Sequence, residues 1–122
     1  MKKILLIEDN INNQHLIMRF LIKDGHQITP CHSASEAYEF IQQKEFNLVI
    51  TDYALPDENG IQIAEKLRSD LKTQSIPIIL LSAGAFDTEE KIYHESLTNR
   101  HLSKPIDFNL LRKTVSDLLK NN

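Results

Sequence analysis

Short runs of apolar residues alternate along the chain with longer amphipathic stretches. Three of these runs, at residues 4–7, 48–50 and 78–81, contain no polar residue. Strands that are apolar on both faces are typical of a parallel sheet that is covered by helices on each side. Residues 27–31 and 100–103 are weaker strand candidates. The pattern therefore predicts five strands in a parallel sheet.

The stretches between the runs carry apolar residues at helical spacing. Ser33 with Glu36 forms a capping-box pattern that opens one helix, and Gly25 is a natural C-terminal stop for the helix before it. In the third stretch, Leu67 and Leu71 share one apolar face. The spacing predicts helices over residues 11–24, 33–43, 61–72, 87–97 and 108–120.

The order of these elements is a strand followed by a helix, repeated five times. Such alternation implies right-handed crossovers and an open, doubly wound α/β sheet, (βα)5. A length of 122 residues fits one domain of ordinary size. We therefore expect a single domain over residues 1–122, with no output domain in this chain.

Charge and hydropathy narrow the class of protein further. The 14 basic and 17 acidic residues give a net charge of −3 without a basic run, which argues against nucleic acid as a partner. No apolar run approaches the ~20 residues that span a bilayer, so no membrane partner is expected. One cysteine, Cys31, forms no internal disulfide and suits a reducing compartment. These features favour a cytoplasmic protein.

Chemically active side chains follow four of the predicted strands at the point where each strand ends. Glu8 and Asp9 follow the first strand, Asp52 the third, Ser82 the fourth and Lys104 the fifth. Each alone is a weak signal, because an acidic pair after a strand is most often a solvated turn and the other residues also fit turns, strand ends or loops. In open α/β sheets, however, ligands bind beyond the carboxyl ends of the strands. The combination therefore predicts one site at that edge.

Taken together, these segments resemble the response-regulator receiver domain, the CheY-like family, over the whole length of the chain. The matching pieces are residues 4–10, 52–60, 79–83 and 102–105. The resemblance implies the flavodoxin/CheY-like fold with strand order 2-1-3-4-5. It also implies that Asp52 accepts a phosphoryl group from a partner histidine kinase or histidine phosphotransfer domain, which makes the protein a phosphoacceptor switch rather than an enzyme.

The acidic residues are expected to bind a divalent metal. Three carboxylates within ~5 Å of one another repel by roughly 3 kcal/mol per pair at an effective dielectric near 20, which favours a compensating cation. Hard oxygens without His or Cys favour Mg²⁺, or Mn²⁺, over zinc. The resemblance implies Asp9, Asp52 and the backbone carbonyl of Ala54 as direct ligands, with Glu8 holding the metal's waters.

The resemblance also assigns roles to four further residues. Ser82 and Lys104 contact the phosphoryl group, and the peptide bond between Lys104 and Pro105 is cis. Ser82 and His101 form the switch, because His101 stands where the family's Tyr or Phe turns inward on activation. We expect the inward slot to favour neutral imidazole, so that acid opposes the switch. Alternatively, His101 stays outside and contacts the partner.

Two departures from the family pattern fall on the output surface. His101 replaces the usual Tyr or Phe, and Leu97 and Thr98 replace a Gly-Ala pair at the end of the fourth helix. The downstream protein target is therefore unknown from the sequence. The remaining histidines on predicted helices and turns are expected to be solvated; they are His15, His26 and His94.

Three other functions remain as alternatives. A pseudo-receiver would use the same fold only to bind proteins, but the five site residues are all present. A hydrolase that forms a phosphoaspartate needs a second acid two residues after the nucleophile, where this chain has Ala54. A flavin-binding module needs a phosphate-binding loop after the first strand, and no Ser/Thr/Gly-rich loop follows it.

Overall fold

A computed structural model describes residues 2–120 of the chain. Strands and helices alternate through this region as the apolar pattern predicts. The strands are β1 (Lys3–Ile7), β2 (Gln27–Cys31), β3 (Leu48–Asp52), β4 (Ile78–Ser82) and β5 (Arg100–Ser103). The helices are α1 (Ile11–Lys23), α2 (Ala34–Gln43), α3 (Gly60–Ser69), α4 (Thr88–Leu97) and α5 (Phe108–Leu119).

All five strands form one parallel sheet in the order β2-β1-β3-β4-β5. The register pairs Ile4 with Leu48 and Val49 with Ile78. The chain winds outward from β1 in both directions, so the strand order reverses between β1 and β3. The predicted fold class and strand order are confirmed, and the switch point locates the edge where a ligand is expected.

The sheet has a hydrophobic core on each face. Alternate residues of a strand point to opposite faces, so Ile4 and Leu6 pack under α1 and α5, while Leu5 and Ile7 pack under α2 and α3. All four side chains are fully buried. Each contributes about 1.5–3 kcal/mol relative to an exposed position. Burial on both faces explains why this strand shows no polar alternation.

Every helix begins at a side chain that accepts a hydrogen bond from a backbone amide of the first turn. Because the sheet is parallel, these five N-termini lie at the carboxyl edge of the strands. Helix N-termini carry partial positive charge, so they favour anions at this edge. The capping residues are Asn10, Ser33, Asn59, Asp87 and Asp107.

The third helix is shorter than its apolar pattern predicts. It ends at Ser69 because Asp70 adopts an extended backbone conformation and the Thr73 hydroxyl donates to the carbonyl of Leu67, at 2.7 Å. Leu71 is consequently 85% exposed rather than part of the core. The prediction that Leu71 continues the buried face of this helix is therefore wrong.

Between residues 2 and 120, no helix is both long enough and apolar enough to cross a bilayer.

Candidate functional site

Asp52 lies at the carboxyl end of β3, close to the switch point of the sheet. Its side chain is nearly buried, with the residue 4% exposed. The chain then turns back tightly, and the amide of Gly60 donates to the carbonyl of Tyr53 at 2.8 Å. A Cβ at position 60 would lie 2.6 Å from the carbonyl oxygen of Asp52. Glycine is therefore required there to hold the loop against Asp52.

Three carboxylates converge at this edge. Glu8, Asp9 and Asp52 each offer one oxygen, and these oxygens all lie within 4.8 Å of one another. Glu8 is fully buried, whereas Asp9 is exposed. Ala54 is exposed beside this group and forms an isolated antiparallel bridge with Asn59. Such a set of oxygens suits a hard divalent cation.

Lys104 compensates the two buried carboxylates. Its Nζ atom lies 3.0 Å from Oε1 of Glu8 and 3.0 Å from Oδ2 of Asp52. The backbone amide of Lys104 donates to the carbonyl of Ser82 at 2.8 Å, which fixes the residue beside the end of β4. The peptide bond between Lys104 and Pro105 is cis.

The charges in this cluster alter one another's proton affinity. Burial and the nearby charge of Asp52 raise the pKa of Glu8 above its usual range, although Lys104 acts in the opposite direction. Burial opposes the charge of Lys104, but its bonds to Glu8 and Asp52 prevail and raise the pKa of Lys104. The site therefore holds an excess of negative charge around one ammonium group.

Ser82 and His101 lie side by side on adjacent strands. The Oγ atom of Ser82 is 2.6 Å from Nε2 of His101 and 3.5 Å from the carbonyl oxygen of Gly84. Ser82 is 2% exposed, and His101 is half-buried. The structure thus places the His101 ring inward, against Ser82.

An aromatic cluster covers the other side of His101, and it contains a histidine that we expected to be solvated. His94 is only 6% exposed, so that expectation is wrong. The edge of one ring meets the face of the other in the Phe86–His94 pair, with centroids 4.3 Å apart. Tyr53 and His101 also contact Phe86. His94 fills space under the loop between β4 and α4 that few apolar residues of α4 are available to fill.

Gln14 is a site-supporting residue that the sequence interpretation missed. It is buried, and its Nε2 atom donates to the carbonyls of Glu8 and Cys31, both at 3.1 Å. These bonds tie the ends of β1 and β2 together below the acidic cluster. A signal was available, because Gln14 is a polar residue on the same helical face as the core residues Ile17 and Leu21.

The loop after Asp52 is also held by a contact that the sequence interpretation missed. The carboxylate of Asp57 accepts hydrogen bonds from the amides of Ala34 and Ser35, at 3.0 and 2.9 Å, in the first turn of α2. Glu58, the next residue, accepts from the hydroxyl of Tyr38 at 2.7 Å. The backbone bonds lower the pKa of Asp57. No local sequence pattern predicts these bonds from Asp57 to α2, because the partners are more than 20 residues apart.

Comparisons with known proteins agree with this geometry. The family model described as the response regulator receiver domain matches residues 4–116. Protein PilH of Pseudomonas aeruginosa is 26% identical over 119 residues, which cover 98% of each chain. The uncharacterized transcriptional regulatory protein YclJ of Bacillus subtilis is 31% identical over 84% of this chain and 44% of its own. The chain likewise spans about half the length of several further curated relatives.

Solved structures extend the likeness to three dimensions. The crystal structure of the response regulator protein TrrA from Thermotoga maritima, in complex with Mg²⁺ and BeF, has a TM-score of 0.85 and 27% sequence identity. The alignment covers 98% of this chain and 100% of that one. With the family model matching nearly the whole chain, the protein belongs to the response regulator receiver domain family, the phosphorylation-activated switches of two-component signalling.

Proposed function

We propose that Asp52 accepts the phosphoryl group, and that the donor is a histidine of a partner kinase or phosphotransfer domain. The observation that carries the proposal is the pairing of a nearly buried Asp52 carboxylate with the Lys104 ammonium at 3.0 Å, inside a cluster of further carboxylates. A nucleophilic carboxylate beside a fixed cation is the arrangement that phosphoryl transfer to aspartate requires.

In the proposed transfer, a carboxylate oxygen of Asp52 forms a bond to phosphorus while the bond from phosphorus to the donor histidine nitrogen breaks. The electron pair of the broken bond returns to that nitrogen. Lys104 neutralises charge on the phosphoryl oxygens, and the hydroxyl of Ser82 donates a hydrogen bond to one of them. The reaction works by positioning and electrostatics, since the covalent step needs no other group.

The same site is proposed to hold Mg²⁺, with Mn²⁺ accepted by the same oxygens. The ligands would be Glu8, Asp9, Asp52 and the backbone carbonyl of Ala54, with Glu8 acting through bound water. When bound, the metal supplies positive charge against the phosphoryl oxygens. The donor set supports this proposal because its side-chain donors are all carboxylate oxygens. The three carboxylates outnumber the single ammonium group of Lys104 beside them.

The output of the domain is proposed to be a changed contact with a downstream protein. Ser82 and His101 form the switch, since they link the phosphorylation edge to the half-buried aromatic cluster around Phe86 and to α4. A phosphoryl group that recruits the Ser82 hydroxyl would change this contact first.

The proposal is tested by intact mass after incubation with a small phosphodonor, acetyl phosphate, with and without Mg²⁺. We expect one phosphoryl group per chain when Mg²⁺ is present and little or none after the metal is chelated. An unmodified mass in the presence of Mg²⁺ would contradict the proposal. The protein would then be an interaction module that uses the receiver fold without phosphate.

A second measurement concerns the lifetime of the phosphoryl group. Ala54 is exposed two residues beyond Asp52, and a Cβ added at Gly84 would meet no atom within 4 Å, so nothing bulky obstructs water at either position. We expect an intermediate lifetime, and Ala54→Phe to lengthen it several-fold by blocking the attacking water. Ala54→Gly is the matched control and should decay like the natural protein. An unchanged rate in Ala54→Phe would show that access is controlled elsewhere.

A further inference from the structure

Gln14 of α1 carries a buried amide that reaches back to the start of the loop after β1. The residue is 3% exposed, although it is polar and lies among the apolar residues that α1 turns toward the sheet. Both protons of its Nε2 atom are used, since the atom donates to the carbonyls of Glu8 and Cys31, each at 3.1 Å. A buried amide is costly unless it is hydrogen-bonded, so these two bonds fix the Gln14 side chain in one orientation.

The bond to Glu8 acts on the peptide unit that joins Glu8 to Asp9. Strand β1 ends at Ile7, which pairs with Cys31, so the carbonyl of Glu8 lies beyond the last pair of these strands. Gln14 supplies the donor that this carbonyl binds. Because a peptide unit is planar, a bond to its carbonyl oxygen also restrains the Cα atom of Asp9, from which the side chain starts.

The carboxylates of Glu8 and Asp9 are held in different ways. One oxygen of Glu8 accepts from Nζ of Lys104 at 3.0 Å, and the other accepts from the amide of Asn10 at 3.3 Å. The carboxylate of Asp9 is exposed, and within residues 2–120 no hydrogen bond or ion pair reaches it. The position of Asp9 near Asp52 therefore depends on the backbone that carries it.

A role for Gln14 in joining the two strand ends does not account for the bond to Glu8. The carbonyl of Cys31 already accepts from the amide of Glu8 at 3.0 Å, so β1 and β2 stay joined at this end without the Gln14 side chain. What Gln14 adds is the restraint on the Glu8 carbonyl, directly before the exposed carboxylate of Asp9.

We propose that Gln14 is a positioning residue for metal binding, because its amide fixes the peptide unit between Glu8 and Asp9 and so holds the Asp9 carboxylate beside Asp52. This inference rests on the proposed Mg²⁺ site, whose three carboxylate oxygens lie within 4.8 Å of one another. Residues that orient metal ligands contribute about 10- to 100-fold to metal affinity. Gln14 acts through the backbone on one ligand, so its effect belongs at the lower end of this range.

Titration with Mg²⁺ tests the inference in the folded protein, with the backbone amide NMR signals of Asp9 and Tyr53 reporting binding. Gln14→Leu keeps a side chain of similar size and removes both hydrogen bonds. We expect its dissociation constant for Mg²⁺ to be about tenfold higher than that of the natural protein. Gln14→Asn keeps the amide but is one methylene shorter, so it cannot span both carbonyls and should also bind Mg²⁺ more weakly. It serves as the second variant if Gln14→Leu does not fold.

Leu21→Ala is the matched control for a loss of stability alone. Leu21 is fully buried on the same face of α1, about two helical turns from Gln14. This variant should unfold at a lower urea concentration and yet bind Mg²⁺ as the natural protein does. An unchanged dissociation constant in the Gln14 variants, or an equal weakening in Leu21→Ala, would overturn the inference.

The rate of phosphorylation by acetyl phosphate gives a second readout, which separates metal binding from the chemical step. In Gln14→Leu the Mg²⁺ concentration that gives half the maximal rate should rise about tenfold. The maximal rate should change much less, because Lys104 keeps its contact with Asp52 at 3.0 Å. A defect of the same size at every Mg²⁺ concentration would overturn the inference and leave Asp52 as the acceptor. Failure of the natural protein to bind Mg²⁺ would overturn the proposed metal site as well.

Discussion

Asp52→Asn is expected to abolish phosphorylation by acetyl phosphate, with the intact mass unchanged under conditions that modify the natural chain. The carboxamide keeps the shape of the buried side chain but is a far weaker nucleophile toward phosphorus. Folding should survive the change, because removing one negative charge relieves Glu8 while Lys104 keeps its bond to Glu8 at 3.0 Å. The loss would therefore report chemistry rather than unfolding.

Asp57→Asn is the matched control for this experiment. Asp57 lies five residues further along and is exposed. Its two carboxylate oxygens accept from the amides of Ala34 and Ser35, and the single amide oxygen of Asn can keep one of these bonds. This variant should take up one phosphoryl group as the natural protein does. If Asp52→Asn were modified to the same extent, the acceptor would be another carboxylate, with Glu8 and Asp9 the candidates at the same edge.

Removing the Lys104 ammonium should produce the largest change in stability. We expect Lys104→Met to lower the free energy of unfolding by about 2–3 kcal/mol at neutral pH, as measured by urea denaturation without Mg²⁺. The variant leaves the fully buried Glu8 and the nearly buried Asp52 facing each other without a cation. The figure lies slightly below the range for fully buried pairs because Lys104 itself is partly exposed.

The pH dependence of this loss follows from Glu8. Its pKa is already raised in the folded protein, and without Lys104 it should rise further, since the lysine opposes the shift. A carboxyl group whose pKa is raised by folding destabilises the native state when it is ionised. The penalty in Lys104→Met should therefore shrink as the pH falls through the folded pKa of Glu8 toward its unfolded value near ~4.3.

Added Mg²⁺ should also reduce the penalty, because the metal replaces the missing positive charge. Lys104→Arg, which keeps the charge, is the matched control and should lose much less stability. A deficit in Lys104→Met that is independent of both pH and Mg²⁺ would contradict this electrostatic explanation and indicate lost packing instead.

The sequence by itself determined the fold class and the edge that bears the site. Apolar runs such as residues 4–7 and 78–81 can be recognised in the sequence because a strand buried on both faces carries few polar residues before its carboxyl end. The candidate site residues could also be predicted from the sequence, because the carboxyl ends of parallel strands meet at one edge of the sheet. Topology alone therefore brings Asp9 and Asp52 together.

Only the tertiary structure decided how the individual side chains are used. Leu71 has the spacing of a core residue, but the third helix ends before it because of a bond from the Thr73 hydroxyl. His94, a polar residue of the fourth helix, was expected to be solvated, yet it is buried and its ring contacts Phe86 and Tyr53. Helical periodicity predicts which face of a helix a residue lies on. It does not predict where the helix ends or how a neighbouring loop covers it, because both depend on residues outside the periodic segment.

The contacts that tune the site are the least visible in the sequence. Asp57 caps a helix more than 20 residues earlier in the chain, and Ser82 meets His101 across two neighbouring strands. Such pairs form only when the sheet register and the loop paths are set, because hydrogen bonds act over about 3 Å. The order of residues in the sequence specifies which side chains reach the edge of the sheet. The folded chain specifies which of these side chains form hydrogen bonds with one another.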